Sequence, residues 1–241
     1  MGANSLRTSV GALTFAPARS STSPPGRTLT LKPNLKPLVF LLCLVPLAAL
    51  AWQGITGGLG ANPVEAITHH TGLWALRLLM VTLALTPLRL LTGWSGALRY
   101  RRMTGLFAFF YALLHFLTYL GLDQQFAWGD IATDILERPY ITVGFAALVI
   151  LVPLAATSTN AMVRRLGARR WLRLHRLVYV SGLLGALHFL WLVKADIREP
   201  VLYLALFVIL MVLRAPTLRR FLPGAAAGRS VRSRGRTDPQ M

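Results

Sequence analysis

The chain has 241 residues, 54% of them hydrophobic, with a mean hydropathy of +0.54 and a formal net charge of +18. Its apolar residues are concentrated in long runs separated by short charged segments. This segregation is typical of a polytopic helical membrane protein, because a helix needs roughly 20 apolar residues to cross the hydrocarbon core. The basic residues follow the membrane sides rather than one stripe, which argues against nucleic-acid binding, and the single cysteine, Cys43, excludes a disulfide framework.

The chain divides into two polar tails and one apolar domain. Residues 1–35 contain no acid and are rich in Ser, Thr, Pro, Gly and Arg, so we expect a disordered basic cytoplasmic tail, or sequence upstream of the true start. Residues 222–241 are expected to form a second disordered basic tail. Between them, residues 36–221 are predicted to form one domain of six transmembrane helices. The six apolar runs are Pro37–Gln53, Thr71–Leu91, Met103–Gly121, Tyr140–Thr157, Leu174–Val193 and Pro200–Leu213.

The loop charges predict which side each loop occupies. Two of the loops and both tails are strongly basic, whereas the other three loops carry most of the acid. The basic loop residues are Arg99, Arg101, Arg102, Arg164, Arg165, Arg169, Arg170 and Arg173. By the positive-inside rule these lie in the cytoplasm, together with both termini. The predicted fold is therefore all-α and multi-pass, with six spans and both ends cytoplasmic.

Two histidines lie deep within separate apolar runs. At about 1.5 Å per residue, His115 is roughly 18 Å and His188 roughly 21 Å from the cytoplasmic side. An imidazole at that depth must face the bundle interior and bind another group. Two neutral imidazoles from facing helices suit the axial positions of a low-spin b-type heme. Hydrogen bonding to a neighbouring hydroxyl or carbonyl is the alternative.

Small residues lie on the same helical faces as these two histidines. Ala108 and Ala112 accompany His115, and Ser181 and Gly185 accompany His188. They would let a flat macrocycle approach the backbone, although small residues also mediate ordinary helix packing.

The remaining cationic candidates are less specific. Arg77 is an isolated cation in the outer leaflet that a heme propionate would neutralise, with snorkelling to the interface as the alternative. His69 and His70 lie at the outer mouth of the second helix, where solvated residues at a loop edge are the default. His175 lies on the cytoplasmic side and could bind lipid headgroups.

One heme is favoured over two. A second heme at His175 would need a partner at similar depth, and Arg101 and Arg102 occupy the matching place on the third helix. On a straight helix His175 and His188 would point roughly 140° apart. No nicotinamide-binding glycine motif and no hydrolytic constellation is present in the sequence, which favours a carrier over a catalyst.

Three segments resemble one known family. They are HHTGLWAL at 69–76, RRMTGLFAFFYALLHFLTYLGLD at 101–123 and RRWLRLHRLVYVSGLLGALHFLW at 169–191. They resemble the MsrQ (YedZ) family, the heme-binding membrane subunit of the periplasmic methionine sulfoxide reductase system, within the ferric-reductase-like transmembrane superfamily. The resemblance covers about residues 36–221.

The resemblance implies a function beyond what the residues indicate. It implies a six-helix domain in the bacterial inner membrane that binds b-type heme and is associated with FMN. Electrons would pass from the quinone pool to a periplasmic molybdopterin-containing subunit that reduces methionine sulfoxide. Because the sequence has no nicotinamide-binding motif, a separate flavin reductase is the other possible donor. The family's heme histidines correspond to His115, His175 and His188, and a further family histidine to His69. Superfamily members with two stacked hemes carry two histidines on the third helix, where this chain has only His115.

Two other functions remain open from the sequence. A self-sufficient membrane reductase of ferric iron or quinone would turn over without a partner. A heme-free transporter or structural subunit would use the histidines for proton relay or packing. For the favoured carrier, the acidic outer loop from Asp123 to Arg138 is the expected docking surface for the periplasmic subunit.

Overall fold

The computed structural model describes residues 35–215, and all regular structure in that range is helical, which confirms the predicted all-α class there. The predicted tails, residues 1–35 and 222–241, lie outside this range except for Leu35. Nine α-helices follow in chain order within it: α1 (Lys36–Thr56), α2 (Pro63–Thr92), α3 (Arg101–Thr118), α4 (Trp128–Glu137), α5 (Pro139–Ala156), α6 (Asn160–Leu166), α7 (Ala168–His175), α8 (Val178–Leu192) and α9 (Arg198–Val212). A 3₁₀ turn (Ser95–Tyr100) leads into α3, and a π-helical turn (Tyr119–Asp123) extends it.

Four helical segments of residues 35–215 are long and apolar enough to span a membrane. They are Lys36–Thr56, Pro63–Thr92, Ser95–Asp123 and Pro139–Ala156. The last two predicted runs form α8 and α9, which have 15 residues each. At 1.5 Å per residue each is about 22 Å long, shorter than the hydrocarbon core of about 30 Å. The chain is thus a helical membrane protein, and the count of six spans stays a prediction.

The second helix begins earlier than its apolar run. Asn62 caps α2, because its side-chain oxygen accepts a hydrogen bond from the Glu65 N–H at 3.2 Å. The helix therefore starts at Pro63, and His69 and His70 lie inside it rather than at a loop edge.

The fifth predicted run is not one straight helix. α7 ends at His175 and α8 begins at Val178. Between them the N–H groups of Arg176 and Leu177 bond to carbonyls three residues earlier, as in a tighter 3₁₀ turn. The angle of roughly 140° expected between His175 and His188 applies to a straight helix, and α7 and α8 do not form one.

α1 is fastened to its neighbours where Pro46 interrupts it. Proline lacks an N–H and its ring crowds the preceding turn, which weakens the helix locally. The Tyr111 hydroxyl donates to the Cys43 carbonyl at 2.9 Å and accepts from the Leu47 N–H at 3.1 Å, two groups that would bond each other in a regular helix. His70 Nε2 lies 3.1 Å from the Pro46 carbonyl oxygen, so this histidine is a structural donor.

Two clusters of buried apolar side chains hold the bundle together. The first joins α1, α2, α3 and α5 through Cys43, Leu78, Leu79, Phe107, Ala108, Tyr111, Leu151 and Leu154. The second joins α2 and α9 through Leu76, Met80, Leu83, Tyr203, Phe207 and Leu210, with part of α8 packed against it. α2 contributes to both clusters and packs along α3, while α5 packs along α8. α3, which carries His115, therefore packs against α2, and α8, which carries His188, packs against α5.

Candidate functional site

His115 on α3 and His188 on α8 meet inside the bundle. Their ring centroids are 6.1 Å apart, with an angle of 73° between the ring planes. Two imidazoles that bind one metal ion from opposite sides have their centroids separated by two metal–nitrogen bonds of about 2.0 Å each plus half the width of each ring. The observed separation is of that order. The prediction that both imidazoles lie in one layer on separate helices is confirmed.

Each of the two imidazoles forms a hydrogen bond with a backbone carbonyl of a neighbouring helix. His115 Nδ1 lies 2.8 Å from the carbonyl oxygen of Thr68 on α2, and His188 Nδ1 lies 2.6 Å from that of Tyr140 on α5. In both cases a glycine follows the carbonyl residue by four positions, at the point where the ring lies over the helix. A Cβ atom on Gly72 would be 2.9 Å from His115 Nδ1, and one at position 144 would be 2.6 Å from His188 Nδ1. Only glycine permits this approach.

These hydrogen bonds determine which ring nitrogen carries the proton. A carbonyl oxygen can only accept, so Nδ1 of each neutral imidazole must be the donor. Nε2 then keeps its lone pair, and within residues 35–215 neither Nε2 makes a hydrogen bond. A neutral imidazole with Nδ1–H bound to a carbonyl and Nε2 open is the usual arrangement of a metal-ligating histidine.

Both imidazoles line a cavity of about 290 Å³ between α2, α3, α5 and α8. Its lobe beside the histidines extends about 10 Å, or two helical turns, along the bundle and is apolar. This lobe is lined by Leu76, Leu79, Ala108, Ala112, Ala147, Leu148, Leu151, Ser181 and Gly185. All four small residues singled out in the sequence are among them. The opposite end, which we call the mouth, carries the polar side chains of Tyr119, Asp123, Arg138 and Tyr140.

The structure separates the other candidate residues. His69 lines the cavity, and its ring lies 6.1 Å from that of Phe189. His175 does not line it. Its ring stacks on Trp171 at 3.8 Å, its Nδ1 lies 3.2 Å from the Trp171 carbonyl, and its buried Nε2 has no hydrogen-bond partner.

Arg77 also lies outside the residues that line the cavity. Its Nε donates to the Tyr203 hydroxyl at 2.8 Å, and its Nη2 is 3.5 Å from a carboxylate oxygen of Glu199. The guanidinium also lies over the Trp74 ring, 5.1 Å from the centroid. The description of Arg77 as an isolated cation is therefore wrong, and its proposed role with a propionate stays a prediction.

Sequence reasoning missed five residues of the site: Thr68, Gly72, Arg138, Tyr140 and Gly144. Thr68 and Tyr140 act through backbone carbonyls, which every residue has, so their identity carries no signal. Gly144 does carry one, since a glycine inside an apolar helix costs about 1 kcal/mol relative to alanine and often marks a close approach. Arg138 was assigned to a docking loop, and nothing in the sequence places it at the cavity.

The chemistry of the donors fits a metal whose other ligands come from outside the protein. Among residues 35–215 no group of three His, Cys, Asp or Glu side chains could hold a metal ion alone. The His115–His188 pair supplies two open nitrogens, and the apolar, glycine- and alanine-lined lobe has room for a flat group. A porphyrin would provide the remaining four nitrogens in a plane between them.

Comparison with known proteins first defines the class. A family model described as ferric reductase like transmembrane component matches residues 71–186, the segment that carries His115 and most of the cavity lining and ends two residues before His188. This segment is thus similar to a ferric-reductase-like transmembrane component.

Curated relatives then define the family. Three are named protein-methionine-sulfoxide reductase heme-binding subunit MsrQ. The one from Rhodospirillum rubrum is 54% identical over 189 residues, covering 78% of this chain and 91% of the relative. The one from Xanthomonas euvesicatoria pv. vesicatoria is 51% identical over 208 residues, with 80% and 95% covered. The one from Herminiimonas arsenicoxydans is 48% identical over 204 residues, with 84% and 89% covered. The chain belongs to the MsrQ family.

Proposed function

We propose that this chain is an electron-transfer subunit that binds a b-type heme between His115 and His188 and serves a protein-methionine-sulfoxide reductase. The observation that carries the proposal is the pair of Nδ1–carbonyl hydrogen bonds, which leave both Nε2 atoms open toward the same cavity. The relatives' names, heme-binding subunit of protein-methionine-sulfoxide reductase, support the same function.

The arrangement favours a carrier rather than an oxygen-activating or substrate-binding centre. His115 and His188 would hold the heme between them and leave no site on it for oxygen or a substrate, and the group would supply one-electron transfer. The residues of this chain would orient and tune that centre. The Thr68 and Tyr140 carbonyls accept hydrogen bonds from Nδ1–H of the two imidazoles. This raises the basicity of both Nε2 atoms, which would favour ferric over ferrous iron. The apolar lobe keeps water from the two imidazoles.

The heme number in this proposal is one. His175 lies outside the cavity lining, and Arg101 and Arg102 are close enough for their charges to act on it. A second heme on the cytoplasmic side is the alternative, and the buried, unpaired Nε2 of His175 is the observation that favours it.

The topology in this proposal is six spans in the bacterial inner membrane with both ends in the cytoplasm. Four segments satisfy span length, and α8 and α9 are apolar helices that pack alongside them. Lipid would cover the apolar outer surface, where α1 exposes Leu41, Leu42 and Val45.

The electron partners complete the proposal. We propose a periplasmic molybdopterin-containing subunit as acceptor, with the quinone pool or a separate flavin reductase as donor. The acceptor, the quinone pool and the FMN rest on the family resemblance, and the flavin reductase on the lack of a nicotinamide-binding motif in the sequence.

The contacts within the loop 123–138 distinguish its structural acids from those that are available to a partner. Asp134 binds Arg138 Nε at 3.0 Å and accepts from Tyr119 and Gln124, so it is a structural residue. Asp130 and Glu137 are exposed and are the better candidates to meet a partner.

The test is a reduced-minus-oxidised visible spectrum of the detergent-purified chain with a heme-to-protein ratio. We expect a b-type α band at about one heme per chain, lost in His115→Ala and in His188→Ala. His70→Ala is the matched control, because His70 bonds a carbonyl of α1 and should keep the heme. Colourless wild-type protein, or full heme in both ligand variants, would refute the assignment.

The self-sufficient reductase is the second candidate. It predicts that the purified chain reduces ferric iron or quinone over many turnovers without the periplasmic subunit. The carrier predicts a single electron equivalent per heme and no further turnover, which stopped-flow reoxidation distinguishes.

A further inference from the structure

One cation lines the mouth of the cavity. Of the residues that form the walls within the described range, Arg138 is the one arginine, and no lysine accompanies it. The far lobe of the same cavity is apolar. The cavity therefore has one end suited to a hydrocarbon edge and one end suited to an anion.

An ion pair with Asp134 orients the Arg138 side chain. Its Nε lies 3.0 Å from Asp134 Oδ1, and the other oxygen of that carboxylate accepts from the Tyr119 hydroxyl at 3.3 Å and from Gln124 Nε2 at 3.1 Å. The adjacent Tyr140 hydroxyl and the Asp134 charge both raise the pKa of Arg138, so the guanidinium stays charged. A guanidinium has five N–H donors in a fixed fork, so several remain for a ligand.

Arg138 is also close in the chain to the residue that holds His188. The carbonyl that holds His188 Nδ1 belongs to Tyr140, two residues after Arg138, which puts the two Cα atoms at most about 7 Å apart. Arg77, the cation suggested by the sequence, is engaged instead by Glu199 and Tyr203 outside the cavity lining.

We propose that Arg138 binds a propionate of the heme held by His115 and His188, and so orients the carboxylate edge toward the mouth and the hydrocarbon edge into the apolar lobe. This inference rests on the proposed function. The pairing is charge-assisted and matches the fork of a guanidinium to a carboxylate. Asp123 lies at the same mouth and is exposed, as Arg138 is, so water and salt screen both charges and the expected effect is modest.

The experiment compares two porphyrins in the full detergent-purified chain. Heme-depleted protein is titrated with iron protoporphyrin IX and with its dimethyl ester, which lacks both propionate charges, and the ratio of the two dissociation constants is measured. For a half-exposed ion pair we expect the wild type to favour the diacid by about three- to tenfold. Arg138→Gln should bring that ratio close to one, Arg138→Lys should keep part of it, and Arg77→Gln should keep all of it.

A second readout separates binding from folding. In the resonance Raman spectrum of heme-loaded protein, the propionate bending band should shift in Arg138→Gln and stay unchanged in Arg77→Gln. The inference would be overturned if Arg138→Gln kept the wild-type ratio of dissociation constants and the wild-type propionate band. It would also be overturned if only Arg77→Gln changed the ratio and the band. If the wild type binds neither porphyrin, the proposed function fails instead. If it binds both equally, only the role of Arg138 fails.

Discussion

His188 donates a hydrogen bond from Nδ1 to the carbonyl oxygen of Tyr140 at 2.6 Å, across the interface between α8 and α5. The same relationship links His115 to Thr68 across α3 and α2, at 2.8 Å. Two helix pairs thus present one imidazole each to the same cavity, with the same tautomer and the same nitrogen open. This repetition is the main reason to regard the pair as ligands rather than as packed histidines.

Gly144→Ala should disturb the His188 ligand directly. The new methyl group would lie 2.6 Å from Nδ1, so the ring must move and the bond to Tyr140 must lengthen. We expect reduced heme content and, in the heme that remains, a more positive midpoint potential because the ligand is less basic. Gly72→Ala should act similarly on His115.

The control for both glycine variants is Gly54→Ala on α1. A Cβ at that position meets nothing closer than 3.8 Å, and alanine favours a helix by about 1 kcal/mol over glycine. It should keep the heme content and the potential of the wild type. Spectropotentiometric titration measures all three variants, and wild-type values in Gly144→Ala and Gly72→Ala would contradict the positioning role.

Tyr111→Phe should destabilise the bundle without touching the cavity. Its fully buried hydroxyl makes two hydrogen bonds to α1, and removal leaves the Cys43 carbonyl and the Leu47 N–H without it. Unpaired buried groups cost about 1–3 kcal/mol each, so we expect a clear drop in the thermal midpoint with an unchanged heme spectrum. Thr56→Val, which removes one exposed hydrogen bond to Trp52, should shift the midpoint far less. Equal shifts in the two variants would show that the bridge at Pro46 contributes little.

Arg77→Gln and Glu199→Gln should have small effects on stability and none on heme content. Their side chains are 38% and 47% exposed, and ion pairs of that exposure contribute about 0–1 kcal/mol. A double-mutant cycle in thermal or denaturant unfolding isolates the coupling between them. Loss of heme in Arg77→Gln, with retention in Glu199→Gln, would restore the propionate role to Arg77.

Asp130→Asn combined with Glu137→Gln should slow electron delivery to the reductase subunit at low ionic strength. Exposed charges act mainly on the association rate and are screened over about 10 Å at 0.1 M salt. The rate of reoxidation of the reduced chain by that subunit, measured over a salt series, should become less salt-dependent in the double variant. Asp134→Asn is the contrasting variant, because its loss releases Arg138, Tyr119 and Gln124. An unchanged salt series in the double variant would exclude these two residues from docking.

Much of the architecture follows from local sequence. The lengths of the apolar runs and the placement of arginines are enough to predict a helical membrane protein, because the bilayer requires both. The depths of His115 and His188 follow from the same helical rise, and the small residues beside them were recognisable from helical spacing. Each of these features depends on residues close together in the chain.

Other features required the tertiary structure because they join residues far apart in the chain. The carbonyls of Thr68 and Tyr140 hold imidazoles that are 47 and 48 positions away, and backbone carbonyls leave no mark in the sequence. Arg77 and Arg138 look alike as single cations, and only packing against Glu199 or at the cavity mouth distinguishes them. The sequence alone predicts a helical membrane protein with His115 and His188 in one layer, since the length and composition of each helix decide that. Which nitrogen faces the cavity and which arginine borders it depended on contacts between helices.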